Sequence, residues 1–242
     1  GNSAELFSYN SDRPLMTASI MKVITSTTAL TELGGSYEFE TVFSTDSKAR
    51  GEINNLYVKG AGDPSLVEER VWRIAKDIRA RSVKKITGDI VIDNSFFDNF
   101  DFPGQDDESS RAYNAQLSPL AVNFNSFAVN AINEGGVVDV TIDPPVDYFN
   151  LVKTAVQAKG NDLSISRVFK DGKDWVSVMG GVSDEKKKYA NVTDPVLYAG
   201  EVIRWALTQN GVEFVGKIVS GPAVGKKILI KDNSKPLSII LR

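Results

Sequence analysis

Apolar and polar positions change period several times along the chain, and each change predicts a different element. Leu6-Phe7-Ser8-Tyr9 reads as a short strand ended by the turn Asn10-Ser11-Asp12-Arg13-Pro14. Residues 18–33 then predict a helix, with Thr17 as its cap and Gly34-Gly35 as its stop. Ile20, Met21, Val23, Ile24, Ala29 and Leu30 fall on all sides of that helix, relieved only by small Ser and Thr, and Lys22 is the only charge between Arg13 and Glu32. A helix of this kind is expected to be buried on most faces.

Short strands follow at 39–43 and 53–59, the second leading into the loop Gly60-Ala61-Gly62-Asp63-Pro64-Ser65-Leu66. Val67, Val71, Ile74 and Ile78 then recur at helical spacing, with Glu68, Glu69, Arg70, Arg73, Lys76 and Asp77 on the wet side. Residues 89–93 read as a buried strand and 94–113 as loop. The stretch 124–182 is mostly strand, clearest at 137–142, 163–169 and 175–179. A helix over 196–210 closes at Gly211, and 214–220 is strand-like. There is no internal repeat and no regular βαβ alternation, so the expected class is α+β.

Composition narrows the chemistry. The chain has 242 residues, 42% hydrophobic and 24% charged, with a net charge of −3. Those are globular values, without the basic footprint of a nucleic-acid partner or a polybasic membrane patch. No apolar run reaches the ~20 residues that span a bilayer, so any membrane association is expected to be peripheral. No signal peptide is visible, which reads as a mature or trimmed product. The chain has no histidine and no cysteine, which excludes a Ser-His-Asp triad, a Cys-His pair and a His- or Cys-ligated zinc site.

A hydrolase of this composition must activate its nucleophile differently, and a serine with a lysine one helical turn later is one such way. The S-x-x-K pattern occurs at Ser19/Lys22, Ser82/Lys85 and Ser183/Lys186. The last two lie among other charges and read as solvated surface. Ser19 and Lys22 share a helix face, and Ser19 sits in the first turn, where the helix dipole favours a developing negative charge. Lys22, in an apolar helix without a nearby carboxylate, is expected to be desolvated and so able to act as a base; the alternative is a lysine that snorkels to water beside an ordinary serine.

The segment Pro14-Leu15-Met16-Thr17-Ala18-Ser19-Ile20-Met21-Lys22, with Leu33-Gly34 and Tyr37-x-Phe39-x-Thr41, resembles the active-site helix of the low-molecular-mass class C penicillin-binding proteins, the D-alanyl-D-alanine carboxypeptidases/endopeptidases of the S13 serine peptidase family. The similarity continues through 51–66 with its G-x-G-D-P-S-L signature, Gly88-Asp89-Ile90 with Asp93, Tyr113-x-Ala115-x-x-Ser118-x-Leu120-x-x-Asn123, and Asp194-Pro195. The resemblance implies part of a penicillin-binding/β-lactamase-like transpeptidase domain carrying a large, mostly β insertion. Residues 1–40 and 236–242 would belong to the peptidase domain and 41–235 to the insertion, with an inner lobe at roughly 133–192.

It further implies a periplasmic or otherwise extracytoplasmic enzyme acting on peptidoglycan peptides. Ser19 would be the nucleophile, Lys22 its base, and the Ser19 N–H one arm of an oxyanion hole; β-lactams would acylate Ser19. Glu108 (or its neighbour Asp107) and Tyr113 would approach the amino end of the peptide. No cofactor is expected: Asp98, Asp101, Asp106 and Asp107 form no D-x-D-x-D-G loop, and Gly60-Ala61-Gly62 lacks the features of a nucleotide site.

The family's later motifs, S-x-N and K-[ST]-G, are missing from their places. Ser8-Tyr9-Asn10 precedes the nucleophile, and Lys153-Thr154-Ala155 lacks the glycine. An interior portion of a longer enzyme, inactive by itself, is therefore expected. Two rivals remain. One is a non-catalytic wall-binding or scaffold protein of the same fold. The other is a class C β-lactamase-like hydrolase using Tyr189-Ala190-Asn191, although that triplet lies far from Ser19 in a lysine-rich stretch read as loop.

Overall fold

A computed structural model of the chain describes residues 4, 6–47, 51–98, 109–225 and 227–242. It divides into two compact units, Gly1–Glu38 with Lys235–Arg242, and Phe39–Ser234.

In the first unit a 3₁₀ turn, Ala18–Ile20, runs directly into helix α1 (Met21–Leu33). The predicted helix exists over its full length, but Thr17 does not cap it through its side chain. The start is instead a tight turn in which Ile20 N–H donates to Thr17 O at 3.0 Å. Thr25 and Thr31 turn their hydroxyls back onto the carbonyls of Met21 and Thr27. Gly34, at φ +83°, ends the helix. A short helix over Leu237–Ile240 docks on the following turn through Leu237 N–H to Tyr37 O at 2.8 Å and Ser238 N–H to Gly35 O at 3.0 Å. No residue of α1 is buried, and Val23 is 66% exposed. The expected burial on most faces is thus not met, because α1 carries more apolar surface than so small a unit can cover.

The second unit holds the core. In chain order it contains β1 (Glu40–Thr45), β2 (Gly51–Ile53), β3 (Leu56–Lys59), α2 (Glu68–Ala80), β4 (Val83–Ile86), β5 (Ile90–Asp93), β6 (Ser126–Glu134), β7 (Val137–Asp143), β8 (Phe149–Gln157), β9 (Ser164–Lys170), β10 (Lys173–Gly181), β11 (Glu185–Asn191), α3 (Pro195–Gln209), β12 (Glu213–Phe214), β13 (Ile218–Ser220) and β14 (Lys227–Asn233). They form a five-stranded sheet, β13-β5-β3-β1-β14, and three three-stranded sheets, β12-β4-β2, β11-β6-β7 and β8-β10-β9. The class is mixed helix and sheet, as the α+β reading requires.

Parallel pairing is commoner than the sequence suggested. β13, β5 and β3 run parallel, as do β2, β4 and β12, and α2 and α3 bury their apolar sides between them. Val71, Ile74, Ala75 and Ile78 of α2 are buried, as are Tyr198, Ala199, Val202, Ile203, Ala206 and Leu207 of α3. Gly200 lets α3 approach β13, since a Cβ there would lie 2.2 Å from Ile218 Cγ2. Asp194 caps α3 with its carboxylate on the Val196 and Leu197 amides, both at 3.0 Å, and Pro195 fills the first turn. The 185–191 stretch read as loop is strand β11, paired antiparallel with β6; its lysines sit on an edge, where charge discourages further pairing.

The G-D-P-S-L signature has a structural role. Asp63 is 2% exposed and accepts from Ser65 N–H (2.8 Å) and Ser65 Oγ (2.7 Å). Arg70, on α2, pairs with Asp63 at 2.6 Å and with Asp232 on β14 at 2.6 Å. One guanidinium therefore ties the loop, the helix and the last strand together.

Candidate functional site

Ser19 lies in the 3₁₀ turn and Lys22 at the second residue of α1, so the two share one unbroken helical turn at a spacing that puts side chains on the same face. Both are exposed. Among the described residues neither side chain makes a hydrogen bond or ion pair, so Lys22 has no carboxylate partner. The desolvation expected for Lys22 is not found: its helix faces solvent for the same reason that Val23 does. Ala18, immediately before the serine, has φ +44°, a left-handed conformation that costs a β-carbon residue about 1 kcal/mol or more. The chain thus turns sharply at Ser19, where the first backbone N–H groups of a helix lack intrahelical partners.

Of the two residues expected at the amino end of a substrate, Glu108 and its neighbour Asp107 lie outside the described residues. Tyr113 stands in a 3₁₀ turn, Ala112–Asn114, of the second unit. It is 80% exposed, and its hydroxyl accepts from Arg111 Nη1 at 2.6 Å. The other S-x-x-K pairs are surface, with Lys85 ion-paired to Glu213 at 2.9 Å.

Sequence reasoning missed a cavity of about 560 Å³ beside Tyr113, inside the second unit. Val67, Glu68 and Glu69 at the start of α2 line one side; Asn123, Phe124, Ser126, Phe127, Ala128, Asp143, Lys187 and Tyr189 contribute to the rest. Phe127 is buried, whereas Phe124 and Tyr189 are 67% and 56% exposed. Asn123, Phe124 and Asn125 all have positive φ, at 50°, 59° and 53°. Asparagine tolerates this and phenylalanine does not. The conformation is held by Asn123 N–H to Leu66 O (3.0 Å), Glu68 N–H to Asn123 Oδ1 (3.0 Å), Val192 N–H to Asn125 O (3.0 Å) and Asn125 Nδ2 to Gln116 O (2.8 Å).

Asn123 Nδ2 also donates to the Glu68 carboxylate. Half-burial, with the negative charges of Asp143 and Glu69, pushes the Glu68 carboxyl up to about 7, against a smaller downward pull from Lys187. Lys187 pairs with Asp143 at 3.7 Å and lies 5.5 Å from the centre of the Tyr189 ring. The sequence signals for this cavity were the motif residues Tyr113 and Asn123; its other residues come from segments whose meeting no local pattern announces.

The sequence profile of the D-Ala-D-Ala carboxypeptidase 3 (S13) family matches residues 1–242. The chain belongs to the S13 family. It is 31% identical over 260 residues to the D-alanyl-D-alanine carboxypeptidase of Actinomadura sp. (strain R39), covering 98% of this chain and 48% of that protein. It is 27% identical to the D-alanyl-D-alanine carboxypeptidase DacB of Haemophilus influenzae, covering 97% of this chain and 51% of the relative. The crystal structure of penicillin binding protein 4 (dacB) from H. influenzae superposes with a TM-score of 0.78 at 25% identity, over 97% of this chain and 55% of that one. A second crystal structure of that protein, complexed with a β-lactam, matches with a TM-score of 0.66 at 24% identity. The S13 chain described here spans about half the length of the curated relatives it matches.

Proposed function

We propose that this S13 chain forms part of a serine-type D-Ala-D-Ala carboxypeptidase/DD-endopeptidase that acts on peptidoglycan peptides outside the cytoplasmic membrane and is inhibited by β-lactams. The observation that carries the reading is the pair Ser19 and Lys22 on one helical turn, in a chain that matches the S13 family from end to end. In this reading Lys22 Nζ, as the neutral amine, takes the hydroxyl proton of Ser19 while Oγ attacks the carbonyl carbon of the penultimate D-alanine. The backbone N–H of Ser19 donates to the oxyanion of the tetrahedral intermediate. Collapse breaks the C–N bond, the proton passes to the departing amine of the terminal D-alanine, and the acyl group stays on Ser19 Oγ. Water then attacks the ester, giving the shortened peptide and restoring the hydroxyl. A β-lactam opens on the same oxygen, but its amine remains tethered.

Residues 41–235 are read as the insertion into the peptidase domain, with an inner lobe at roughly 133–192, and residues 1–40 with 236–242 as the adjoining part of the peptidase domain. Tyr113 and Glu108, or Asp107, are assigned to the amino end of the peptide. Ser19 and Lys22 are both exposed, so in this reading the pair must be sheltered from water before the lysine can serve as the base.

Labelling of the full-length protein with a fluorescent penicillin tests it. Ser19→Ala should abolish the band, and Lys22→Ala should slow acylation by at least about 100-fold, the loss of a positioned general base. Undiminished labelling of Ser19→Ala overturns the assignment. Absence of labelling in the wild type favours the non-catalytic wall-binding reading.

A further inference from the structure

We propose that the cavity at the carboxyl ends of strands β5 and β13 is a carbohydrate site, which takes an uncharged sugar ring of a glycan chain. It shares no lining residue with the cavity beside Tyr113 and encloses about 530 Å³, the size of a small-molecule site. β5 and β13 run parallel, and the chain at the end of each supplies the walls: Asn94, Ser95, Phe97 and Asp98 after β5, Ser220 and Gly221 at the end of β13. The crevice beyond the carboxyl ends of parallel strands is a common ligand position in open sheets.

The polar groups there divide into those already used and those left over. Asp93, buried, is used: it accepts from Ser95 N–H at 2.9 Å, Ser95 Oγ at 2.6 Å and Ala223 N–H at 3.0 Å, and pairs with Lys59 at 3.7 Å. It holds the turn in shape. Ser118 Oγ donates to Asn94 Oδ1 at 3.0 Å, which orients the amide and leaves its Nδ2 hydrogens without a partner among the described residues. Ser220 Oγ and the Asp98 carboxylate likewise have no partner among the described residues. Each sugar hydroxyl donates and accepts at once, so it needs donor and acceptor side by side, and an amide N–H, a hydroxyl and a carboxylate supply both.

Phe97 supplies the apolar part. Its ring rests on bare backbone of the G-x-G-D-P-S-L loop, since a Cβ on Gly62 would lie 2.6 Å from Phe97 Cζ. The ring is nonetheless exposed, with that of Phe96, also exposed, 5.6 Å away. A ring seated on backbone and open to solvent offers a rigid face to the C–H side of a pyranose.

Other ligand classes fit less well. An anion would meet Asp98, and among the described residues no lysine or arginine lines the cavity to offset it. A cation would find one free carboxylate, because Asp93 is already paired. Among the described residues no three carboxylates converge to hold a metal ion. A wholly apolar ligand would bury Asn94, Ser220 and Asp98 unmatched. Naming the glycan strand of peptidoglycan as the source of the sugar rests on the function proposed above; the sugar chemistry does not.

The test uses the full-length protein and saturation-transfer NMR. The probes are chitotriose, cellotriose, which lacks the acetamide groups, and a polyethylene glycol of equal mass. We expect saturable binding of a trisaccharide and none of the polyether; preference for chitotriose assigns the site to N-acetylated wall glycan, and preference for cellotriose to unacetylated glucans. Phe97→Ala should weaken binding about tenfold, the value of one stacked ring, and Phe97→Tyr should retain it. Asn94→Ala and Ser220→Ala should each weaken it roughly fivefold, the value of one hydrogen bond. Ser220→Ala, an exposed change, keeps the test open should Phe97→Ala fail to fold. No binding of either trisaccharide, equal binding of the polyether, or full affinity in both Phe97→Ala and Ser220→Ala overturns the proposal. Penicillin labelling is the separate readout for Ser19: labelling without trisaccharide binding counts against this site alone, and trisaccharide binding without labelling counts against the Ser19 chemistry alone.

Discussion

Helices α1 and α3 are built from similar material, apolar residues relieved by small ones, and they end up in opposite circumstances. Of α3, eight residues are buried, including Tyr198, Val202 and Leu207; of α1, none is. The difference lies in what each meets. α3 is capped by Asp194, approaches β13 through Gly200, and belongs to a unit with layers on several sides. α1 starts without a side-chain cap, has 13 residues, and packs in a unit whose other element is a four-residue helix. An isolated helix of that length is marginal in water. Hydrophobicity therefore tells what a helix can bury, whereas the surrounding chain decides what it does bury.

The contrast can be attacked from its strongest side. Arg70→Met should cost about 3–5 kcal/mol, because it leaves the buried carboxylate of Asp63 without its ion-pair partner, while Asp232 keeps only Arg73 at 3.1 Å; chemical denaturation of this chain that finds under ~1 kcal/mol would mean the second unit does not depend on that tie. Next in size is a matched pair. Leu207→Ala in α3 should destabilise by about 3 kcal/mol, while Val23→Ser in α1 should change stability of this chain by no more than ~0.5 kcal/mol. Comparable losses from both would erase the distinction between the helices.

The smallest effect concerns Glu68. Its carboxyl is raised from 4.5 to about 7, so the folded state holds the proton more tightly than the unfolded state does. Stability is then highest below about pH 4.5, falls as pH rises toward 7 and levels off above it. The shift corresponds to ~3 kcal/mol, which screening at a half-exposed site reduces to about 1–2 kcal/mol. Denaturation midpoints at pH 5 and pH 8 should differ accordingly in the wild type, and that part of the difference should vanish in Glu68→Gln.

Much of the fold could be read from the sequence where the signal is local. The period of Val71, Ile74 and Ile78 places α2, Asp194-Pro195 marks the start of α3, and alternation over 137–142 marks β7. What escaped depends on partners distant in the chain. β3 and β5 run parallel because the chain crosses over through α2 and β4 between them, and no residue of either strand announces direction. β11 reads as loop in the sequence because Lys186, Lys187 and Lys188 look solvated, which they can be on an edge strand.

The candidate site divides in the same way. Ser19 and Lys22 are adjacent on a helix and so visible as a motif, but their exposure is a property of everything around them. Tyr113 was legible only through family resemblance, and Glu108 lies outside the described residues. The cavity of Glu68, Asp143 and Lys187 is assembled from residues between Val67 and Tyr189, 122 positions apart, beyond the reach of any spacing rule.

Strand β1 pairs with β14, Glu40 facing Asn233, and Arg70 reaches forward to Asp232. The first strand of the second unit therefore waits for the last one. During synthesis nearly two hundred residues must leave the ribosome before the five-stranded sheet gains its outer strand, so translation itself sets when this unit can finish folding, and a nascent chain stopped short of Asp232 carries an open sheet edge that invites aggregation.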